Sequence, residues 1–545
     1  MGPWVWHGAI AAAVAAPLAR GGFLLLLDFA LVRNVPVVWL PTEADPGPTN
    51  AAPTSALLWV LARLGPAAAP VFVFALFLGI GMAAHHATKR LIMPSLPVAA
   101  YFAGTLYAVN PFTYERLMAG HLLLLMAYGI APLVVLALVR FVERPGARRA
   151  LALAAGVTAI AWTSIHYLAM LPLLLGAVVV VRRATWRTPV LRWGALAAGV
   201  VLVANVWWIA GLGLHRPGGE ITGQDLDHYA TRPRSTAVIG NTAALYGFWH
   251  REFRLPKDGV DGWWLLFAPI AGLSVWGLGS SLGDRRLRAL GAAMIVVVPT
   301  AIVLASGTSF PATEGLFRWA FDTIPGFKLF REPQKWVALL PLAYALLGAV
   351  GLDRLLGERT GPRPRSVTAF VAGFVALMLP LAYAWTLVWN WERLRPVEFP
   401  ADWSAADDLI ESQGGGRMLF LPWHLYMTMS FTEHRVVNPA PYFFSAPVLS
   451  GDNVELGTIR TQSTDPESEA VEAALFTPEG RRTFGDALAR LCVRWVVLAK
   501  EDDHRGYEWL RSVPQLDLAM DTPGLIVWRV DATPSPACRT RDPVP

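Results

Sequence analysis

The sequence contains about eleven apolar runs, each long enough to cross a lipid bilayer as a helix of roughly 20 residues. The runs lie near 3–20, 68–87, 93–110, 120–141, 149–165, 167–182, 191–212, 262–280, 287–306, 335–353 and 366–390. Backbone polar groups in hydrocarbon must bond to one another, and a helix achieves this within one segment. The sequence therefore predicts a polytopic α-helical membrane protein that is surrounded by the lipid bilayer.

The composition is typical of a membrane protein and excludes a string of soluble domains. Charged residues make up only 16% of the 545 residues and apolar residues 54%, whereas soluble domains carry about 25% charged residues. Many of the 23 tryptophans stand at the ends of apolar runs, where amphipathic rings prefer to lie in a bilayer. The net charge of +6 comes with arginines clustered in short loops, so it indicates membrane orientation and no nucleic-acid partner is expected.

Alternate loops carry most of the basic residues, and this asymmetry predicts the orientation of the chain. The basic loops contain Lys89 and Arg90; Arg144, Arg148 and Arg149; Arg182, Arg183 and Arg187; Arg285, Arg286 and Arg288; and Arg354, Arg359, Arg363 and Arg365. Short loops rich in lysine and arginine stay in the cytoplasm. We therefore expect a multi-pass plasma-membrane protein with a cytoplasmic N-terminus and an extracytoplasmic C-terminal part.

The segment 391–545 has the character of a soluble domain. Its strand-like apolar runs are 417–422, 493–498 and 525–530. Polar, helix-like stretches lie between these runs, and this alternation predicts an extracytoplasmic α/β domain at 391–545, beside a transmembrane domain at 1–390. Cys492 and Cys538 both fall in the C-terminal part. On the outer face they could form a disulfide, and two unpaired thiols are the alternative.

The first outer loop offers one candidate catalytic carboxylate. The chain has no P-loop, dinucleotide-binding glycine fingerprint, zinc spacing or nucleophile elbow, so any enzyme activity is expected to come from the outer loops. Asp28 stands in an apolar stretch of this loop, where desolvation would make its carboxylate a better base. The alternative is an Asp28 that caps a re-entrant helix or pairs with Arg33.

Two further outer segments place charges at the start of a helix. In the first, Glu115, Arg116 and His121 follow an Asn-Pro pair, and an arginine at a helix N-terminus favours a nearby anion. In the second, Arg331 and Lys335 flank a carboxylate within residues 327–336. Arginine supplies a planar fork for phosphate and lysine a point charge. Both segments could instead hold local ion pairs or side chains that snorkel to the interface.

The long loop 213–261 gathers carboxylates, histidines and aromatic residues. Asp225, Asp227 and His228 stand close together in it, but their spacing is a weak metal-site signal, and solvated loop charges are the simpler interpretation. The aromatic residues of the loop could stack on sugar rings.

Together these features resemble the GT-C superfamily of integral-membrane glycosyltransferases, which take sugars from polyprenyl-phosphate donors. The stretches Asn-Pro-Phe-Thr-Tyr-Glu-Arg at 110–116 and Phe-Arg-Glu-Pro-Gln-Lys at 330–335 are similar to segments of actinobacterial and archaeal membrane proteins that are grouped with predicted glycosyltransferases. The resemblance covers residues 1–390, mostly as topology, and Asp28 occupies the place of the catalytic acidic residue. The first loop lacks a paired acidic motif, so a divalent metal (Mg²⁺ or Mn²⁺) stays open and no metal ligand is assigned.

The resemblance implies a hexosyl- or pentosyltransferase that acts with inversion at the outer membrane face. Its donor would be a polyprenyl-phosphate sugar, and its acceptor a glycan or glycolipid of the cell envelope. Asp28 would be the general base. The donor phosphate would be bound by Arg331, Lys335 and Arg116, and the supporting residues would be Glu115, Glu332, His121 and His228.

Other functional classes remain as alternatives. A non-enzymatic transporter or flippase for lipid-linked glycans usually shows repeated halves and charges at mid-membrane, and neither feature is evident in the sequence. A polysaccharide polymerase or ligase as a rule lacks a soluble C-terminal domain. A catalytically inactive scaffold is a further class that the residues alone do not distinguish.

Overall fold

The computed structural model describes residues 2–37, 49–181, 188–214, 221–250, 254–357, 367–389, 394–453, 455–456, 459–460, 465–531 and 538. Of the predicted basic loops, Arg182, Arg183, Arg187, Arg359, Arg363 and Arg365 lie outside the described residues. The chain divides into two compact units. The helical unit comprises Met1–Pro17, Pro70–Trp207 and Ile221–Leu394, and the sheet unit comprises Leu18–Ala69, Trp208–Glu220 and Arg395–Pro545.

Helices dominate the chain up to residue 389. They are α1 (Pro3–Ala15), α2 (Ala52–Ala62), α3 (Ala68–Leu91), α4 (Pro97–Ala108), α5 (Pro111–Ala119), α6 (Leu122–Glu143), α7 (Ala147–Ala161), α8 (Ile165–Val181), α9 (Thr188–Leu214), α10 (Gly223–His228), α11 (Val238–Ala243), α12 (Trp264–Gly283), α13 (Arg288–Ser306), α14 (Pro311–Thr323), α15 (Leu340–Gly357), α16 (Val367–Tyr383) and α17 (Trp385–Val388). The predicted polytopic α-helical character is therefore confirmed.

Among the described residues, six helical segments are long and apolar enough to cross a membrane. They contain α3, α6, α9, α12, α13 and α15, the last with the 3₁₀ turns at 333–339 that precede it. Shorter apolar helices occur in α2, α8 and α16. The predicted number of eleven spanning helices stays a prediction.

The helices α12 and α15 pack with their backbones in direct contact. A Cβ atom added at Gly277 would lie 1.8 Å from the carbonyl oxygen of Leu347, and one added at Gly351 would lie 2.1 Å from that of Leu273. Lipid tails are as apolar as the helix surfaces, so close van der Waals packing at small residues drives helix association in a membrane. These two glycines therefore permit the close crossing of α12 and α15.

The sheet unit contains α2, the end of α9 and all the strands that the structure describes. Its other helices are α18 (Ala401–Ser412), α19 (Ala440–Phe443), α20 (Pro466–Phe476), α21 (Pro478–Arg482) and α22 (Phe484–Arg490). The strands are β1 (Leu24–Leu26), β2 (Phe29–Leu31), β3 (Arg417–Leu421), β4 (Tyr426–Thr428), β5 (Arg435–Val437), β6 (Val448–Leu449), β7 (Glu455–Leu456), β8 (Ile459–Arg460), β9 (Val493–Ala499), β10 (Leu516–Asp521) and β11 (Leu525–Val530).

A five-stranded mixed sheet organises this unit, in the order β10-β11-β9-β3-β6. Strand β3 runs parallel to both β9 and β6, and the other pairs are antiparallel. Met418 and Phe420 belong to one buried cluster, and Leu419 and Leu421 to another. Alternate side chains of a strand point to opposite faces, so β3 is covered on both faces, as a central strand of an α/β sheet should be.

The loop that the sequence predicted to be the first outer one is a β-hairpin of the sheet unit. Strands β1 and β2 pair in antiparallel register, and Phe23 and Val397 exchange two backbone hydrogen bonds of 2.8 Å. The Asn34 amide donates to the carbonyl oxygen of Phe444 at 2.7 Å. The loop is therefore bonded to the segment that follows residue 394. In the same unit a disulfide joins Cys492 to Cys538, which settles the alternative that the sequence left open.

Candidate functional site

Glu115 and Arg116 lie on α5, a short helix that is buried along its whole length. The Asn110 side chain caps its start by accepting a hydrogen bond of 3.1 Å from the Thr113 N–H. Gly120, at φ 82°, ends the helix in the left-handed conformation. The two caps fix the helix, so both charged side chains are held in the interior, with 2% and 0% of their surface exposed.

Five side chains form a buried polar network beside this helix. Glu332 binds two cations: its Oε1 lies 2.7 Å from Lys335 Nζ and its Oε2 lies 3.8 Å from Arg116 Nη1. Arg116 Nη1 also donates to His121 Nδ1 at 2.9 Å. Lys335 Nζ donates to His166 Nε2 at 3.1 Å. The network therefore connects the two segments in which the sequence predicted an anion site.

Glu332 is the charged centre of this network. Burial would raise its pKa, but the charges of Lys335, His121 and Arg116 outweigh burial and hold the pKa well below its usual range. The carboxylate stays ionised at neutral pH. It therefore compensates two buried cations that would otherwise be costly in the protein interior.

The predicted phosphate-binding residues are thus placed in two different surroundings. Arg116 and Lys335 are buried and paired with one carboxylate. Arg331 is about one-third exposed: its Nη1 lies 3.8 Å from Asp225 Oδ1, and its guanidinium lies 5.1 Å from the centre of the Tyr229 ring. Of the three, Arg331 is the one with surface available to a ligand.

A large cavity with basic and aromatic walls opens elsewhere in the helical unit. Its volume is about 880 Å³, within the range of small-molecule sites. Its charged and histidine lining residues are Arg232, Arg234, Lys257, His250 and Asp258, and its aromatic ones are Phe248, Trp263, Trp264 and Phe267. Three full positive charges face one negative charge, so the cavity favours an anionic ligand that also carries an apolar part.

Lys257 is the best-positioned cation of this cavity. Its Nζ donates to Asn241 Oδ1 at 2.6 Å and lies 4.7 Å from the ring centre of Tyr246 and 5.7 Å from that of Trp263. Burial lowers its pKa, and the charges of Glu115 and Asp258 oppose this effect. The amide and the two rings hold the ammonium group in one place.

Glu115 lies directly behind the wall of the cavity. The backbone N–H groups of Phe248 and Gly247, two lining residues, donate to its carboxylate. Its Oε1 is buried and has no hydrogen-bond partner among the residues that the structure describes. Burial raises its pKa to about 7, although Arg116, Lys257 and the two N–H groups oppose the rise. A carboxyl group of this kind exchanges a proton near neutral pH.

Unsatisfied polar atoms also occur around His228. The His228 ring lies 5.1 Å from the Trp249 ring, which in turn packs against Tyr229 at 4.8 Å. His228 Nε2, Trp249 Nε1 and both amide atoms of Gln334 are buried without a hydrogen-bond partner in the described part of the chain. Buried polar groups are nearly always hydrogen-bonded, so a water or ligand is expected beside each of these atoms.

The acidic residues near His228 do not form a metal site. Asp225 Oδ2 accepts from the Thr222 N–H at 2.8 Å and caps α10. Asp227 Oδ1 lies 2.5 Å from Arg318 Nη2. Within the described ranges, no group of three or more His, Cys, Asp or Glu residues could hold a metal ion. The described residues therefore do not supply a ligand set for a resident Mg²⁺ or Mn²⁺.

Asp28 lies at the tip of the hairpin between β1 and β2, in the sheet unit. It is exposed, whereas its neighbours Leu27 and Phe29 are buried. The Tyr426 hydroxyl donates to Asp28 Oδ1 at 2.7 Å. The side chain therefore lies outside the apolar interior that the run of leucines suggested, and the bond to Tyr426 orients it.

The sequence did not indicate the cations of this cavity as phosphate-binding residues. Arg232 and Arg234 stand in the loop 213–261, whose charges the sequence indicated to be solvated, and Lys257 was not singled out. The only signal was their position between aromatic residues such as Trp249 and Trp263. His166 was missed as well, since it lies in a tight turn between two apolar runs.

Comparison with solved structures shows the fold. The arabinofuranosyltransferase AftD from Mycobacteria matches with a TM-score of 0.63 at 16% identity, over 97% of this chain and 40% of the AftD chain. This chain thus spans less than half the length of AftD. ArnT from Cupriavidus metallidurans bound to undecaprenyl phosphate matches with a TM-score of 0.42 at 15% identity, over 97% of this chain and 94% of ArnT.

The archaeal oligosaccharyltransferase AglB from Archaeoglobus fulgidus matches with a TM-score of 0.36 at 12% identity, over 91% of this chain and 65% of AglB. No protein-family model and no curated protein matches the chain. The likeness to AftD confirms the predicted GT-C fold of a membrane protein.

Proposed function

We propose that this chain, which has the GT-C fold, is a membrane glycosyltransferase that moves a sugar from a polyprenyl-phosphate donor to a cell-envelope glycan or glycolipid acceptor. The observation that carries the proposal is the cavity of about 880 Å³ lined by Arg232, Arg234 and Lys257 together with four aromatic residues. A lipid-linked sugar phosphate combines a negative charge, a sugar ring and an apolar chain. The cavity offers a surface of matching chemistry for each of these parts.

Phosphate binding is assigned first to the cavity cations. The departing polyprenyl phosphate gains negative charge as the glycosidic bond breaks, and fixed positive groups stabilise that charge. Lys257 is held in place by Asn241 and two rings. Of the cations predicted from the sequence, Arg331 keeps this role. Arg116 and Lys335 act as positioning residues, because both are buried against Glu332.

The reaction itself is a single displacement with inversion. An acceptor hydroxyl oxygen attacks the anomeric carbon, the bond from this carbon to the phosphate oxygen breaks, and polyprenyl phosphate leaves with the bonding electron pair. The acceptor proton passes to a carboxylate. Asp28 is the proposed base, supported by its place in the first outer loop and by the Tyr426 hydroxyl that orients it. Glu115 is the second candidate, since its pKa of about 7 suits proton exchange.

The outer face of the plasma membrane is the proposed location of the reaction, and the sheet unit is the proposed binding region for the acceptor. The disulfide between Cys492 and Cys538 supports an extracytoplasmic sheet unit, because disulfides persist in oxidising compartments and are rare in the cytoplasm. The basic loops that favour a cytoplasmic location for the other ends of the helices support the same orientation.

Transfer from radiolabelled polyprenyl-phosphate mannose, arabinofuranose and glucose, in membranes that contain the wild type or Asp28→Asn, tests the proposal. Wild-type transfer that Asp28→Asn abolishes supports both the enzyme class and Asp28 as base. Transfer that persists in Asp28→Asn but is lost in Glu115→Gln assigns the base to Glu115. A folded wild-type protein that transfers none of the three sugars contradicts the proposal and favours the transporter and scaffold classes.

A further inference from the structure

A second cavity of the helical unit is lined by residues in or next to the predicted basic loops. Its volume is about 310 Å³. Its charged lining residues are Arg90, Arg140, Arg286 and Glu143, and its apolar ones are Leu91, Met93, Leu136, Val139, Val178, Leu287, Ala289 and Leu290. Three arginines against one glutamate leave a formal charge of 3 − 1 = +2. The glycosyltransferase proposal assigns no role to this cavity.

Residues in or next to three of the predicted basic loops line this cavity. Arg90 comes from the end of α3, Arg140 from the last turn of α6, and Arg286 from the residues just before α13. Arg90 and Arg140 lie in the last turns of two apolar helices that could cross a membrane, and Arg286 precedes a third. At about 1.5 Å per residue, α3 and α6 are roughly 36 and 33 Å long, and the hydrocarbon core is about 30 Å thick. Their ends therefore reach the headgroup layer.

The cavity is amphipathic in a way that suits one class of ligand. Its base is formed by the buried side chains Leu136, Val139 and Val178, whereas Arg90 and Arg140 are exposed at its rim. A free inorganic anion gains no binding energy from the apolar floor of the cavity. A phospholipid offers a phosphate to the rim and glycerol and acyl carbons to the base.

The arginines are available for a headgroup. Arg90 and Arg140 make no hydrogen bond or ion pair with any residue of the described ranges. Arg286 donates from Nη2 to the carbonyl oxygen of Ile92, which holds its guanidinium over the cavity while its other N–H groups stay open to a ligand. Arginine forks bind phosphate oxygens in a bidentate manner.

From this arrangement we infer that the cavity lined by Arg90, Arg140 and Arg286 is a binding site for the headgroup of an anionic phospholipid. The phosphate lies between the three guanidinium groups, and the glycerol backbone and the first acyl carbons lie on Leu136, Val139 and Val178. The bound lipid joins the ends of α3, α6 and α13, so it stabilises the helical unit at its basic side.

Native mass spectrometry of the purified full-length protein tests this inference. The protein is titrated with phosphatidylglycerol, with phosphatidylcholine and with sodium phosphate. The wild type should bind phosphatidylglycerol at least tenfold more tightly than phosphatidylcholine, and inorganic phosphate should not displace the lipid. The double variant Arg140→Gln with Arg286→Gln should lose at least tenfold in affinity for phosphatidylglycerol, since each substitution removes a charge-assisted contact.

Two matched variants make the result specific. Arg148→Gln removes an exposed arginine from the same set of loops but outside the cavity, and it should bind phosphatidylglycerol as the wild type does. The double lysine variant, Arg140→Lys with Arg286→Lys, keeps the charge but loses the bidentate fork, so its affinity should fall between those of the wild type and the double glutamine variant, which separates a lost site from a misfolded protein. Equal binding of both lipids, displacement by inorganic phosphate, or an equal loss in Arg148→Gln would each overturn the inference.

Discussion

Glu115 shows how a single buried carboxylate couples the candidate site to pH. Below about pH 4.5 the group is protonated in the folded and the unfolded chain, so its burial costs little. Above that pH the unfolded chain releases the proton, whereas the folded protein keeps it up to about pH 7. The contribution of Glu115 to stability is therefore present at low pH and is lost as the pH rises toward 7, by about 3 kcal/mol.

We predict that Glu115→Gln removes this part of the pH dependence. Glutamine is neutral at every pH, and its amide oxygen can still accept the N–H groups of Gly247 and Phe248. The apparent melting temperature of the detergent-solubilised variant should exceed that of the wild type at pH 8 and match it at pH 4.5. Glu508→Gln, which removes an exposed glutamate, should leave the wild-type pH dependence unchanged. Parallel curves for wild type and Glu115→Gln would contradict the assigned burial cost.

Lys257 provides a residue-scale test of the donor site. We expect Lys257→Gln to lower kcat/KM for the lipid-linked donor by about 10- to 100-fold, because a charge-assisted hydrogen bond contributes about 1.5–3 kcal/mol. The neutral amide can still contact Asn241, so the fold should be retained. Lys89→Gln, an exposed lysine on α3 that does not line the cavity, is the matched control in transfer assays. An equal loss of kcat/KM in both variants would indicate that the cavity does not bind the donor phosphate.

At the scale of elements, the crossing of α12 and α15 depends on two glycines, Gly277 and Gly351, which have no side chain at the contact. We predict that Gly277→Ala destabilises the helical unit by about 1–3 kcal/mol, the usual cost of overpacking, because its Cβ would lie 1.8 Å from a backbone oxygen that cannot rotate away. Gly279→Ala on the same helix meets no atom within 4 Å, so it should leave stability unchanged or raise it slightly. Thermal unfolding of the two variants in detergent checks the difference. If both variants unfold with the wild type, the backbone contact is not what stabilises the crossing.

The sequence predicted most long helices because hydrophobic length alone defines them. The predicted run 120–141 corresponds to α6 at Leu122–Glu143, and 287–306 corresponds to α13 at Arg288–Ser306. The run 335–353 begins earlier than α15, since Pro333 starts two 3₁₀ turns before the α-helix. The hairpin β1–β2 was not predicted, because a short leucine run between charged residues has no period that separates a strand from a helix.

The site was predictable only where neighbours in sequence are also neighbours in space. Glu332 and Lys335 are three residues apart, and their ion pair follows from that spacing. That Arg116 reaches the same carboxylate required the structure, because more than 200 residues separate the two segments in the sequence. The cavity around Lys257 likewise depends on tertiary packing that no local pattern encodes.

At the scale of the whole molecule, orientation in the membrane is the property on which the proposed function depends. Arg148 belongs to a predicted basic loop and lies in the first turn of α7 in the helical unit, and Asp517 lies on β10 of the sheet unit; both are exposed. The positive-inside rule places the first in the cytoplasm, and the disulfide of the sheet unit favours an oxidising compartment for the second.

We predict that a membrane-impermeant maleimide labels Asp517→Cys in intact cells and labels Arg148→Cys only after the cells are permeabilised. Cys492 and Cys538 form a disulfide and so do not react with the maleimide. The protein without an added cysteine therefore stays unlabelled and is the control for both variants. Sugar transfer at the outer face requires the acceptor-binding part to be accessible from outside. Labelling of Arg148→Cys in intact cells, with Asp517→Cys protected, would show the opposite orientation in the membrane. It would contradict sugar transfer at the outer face.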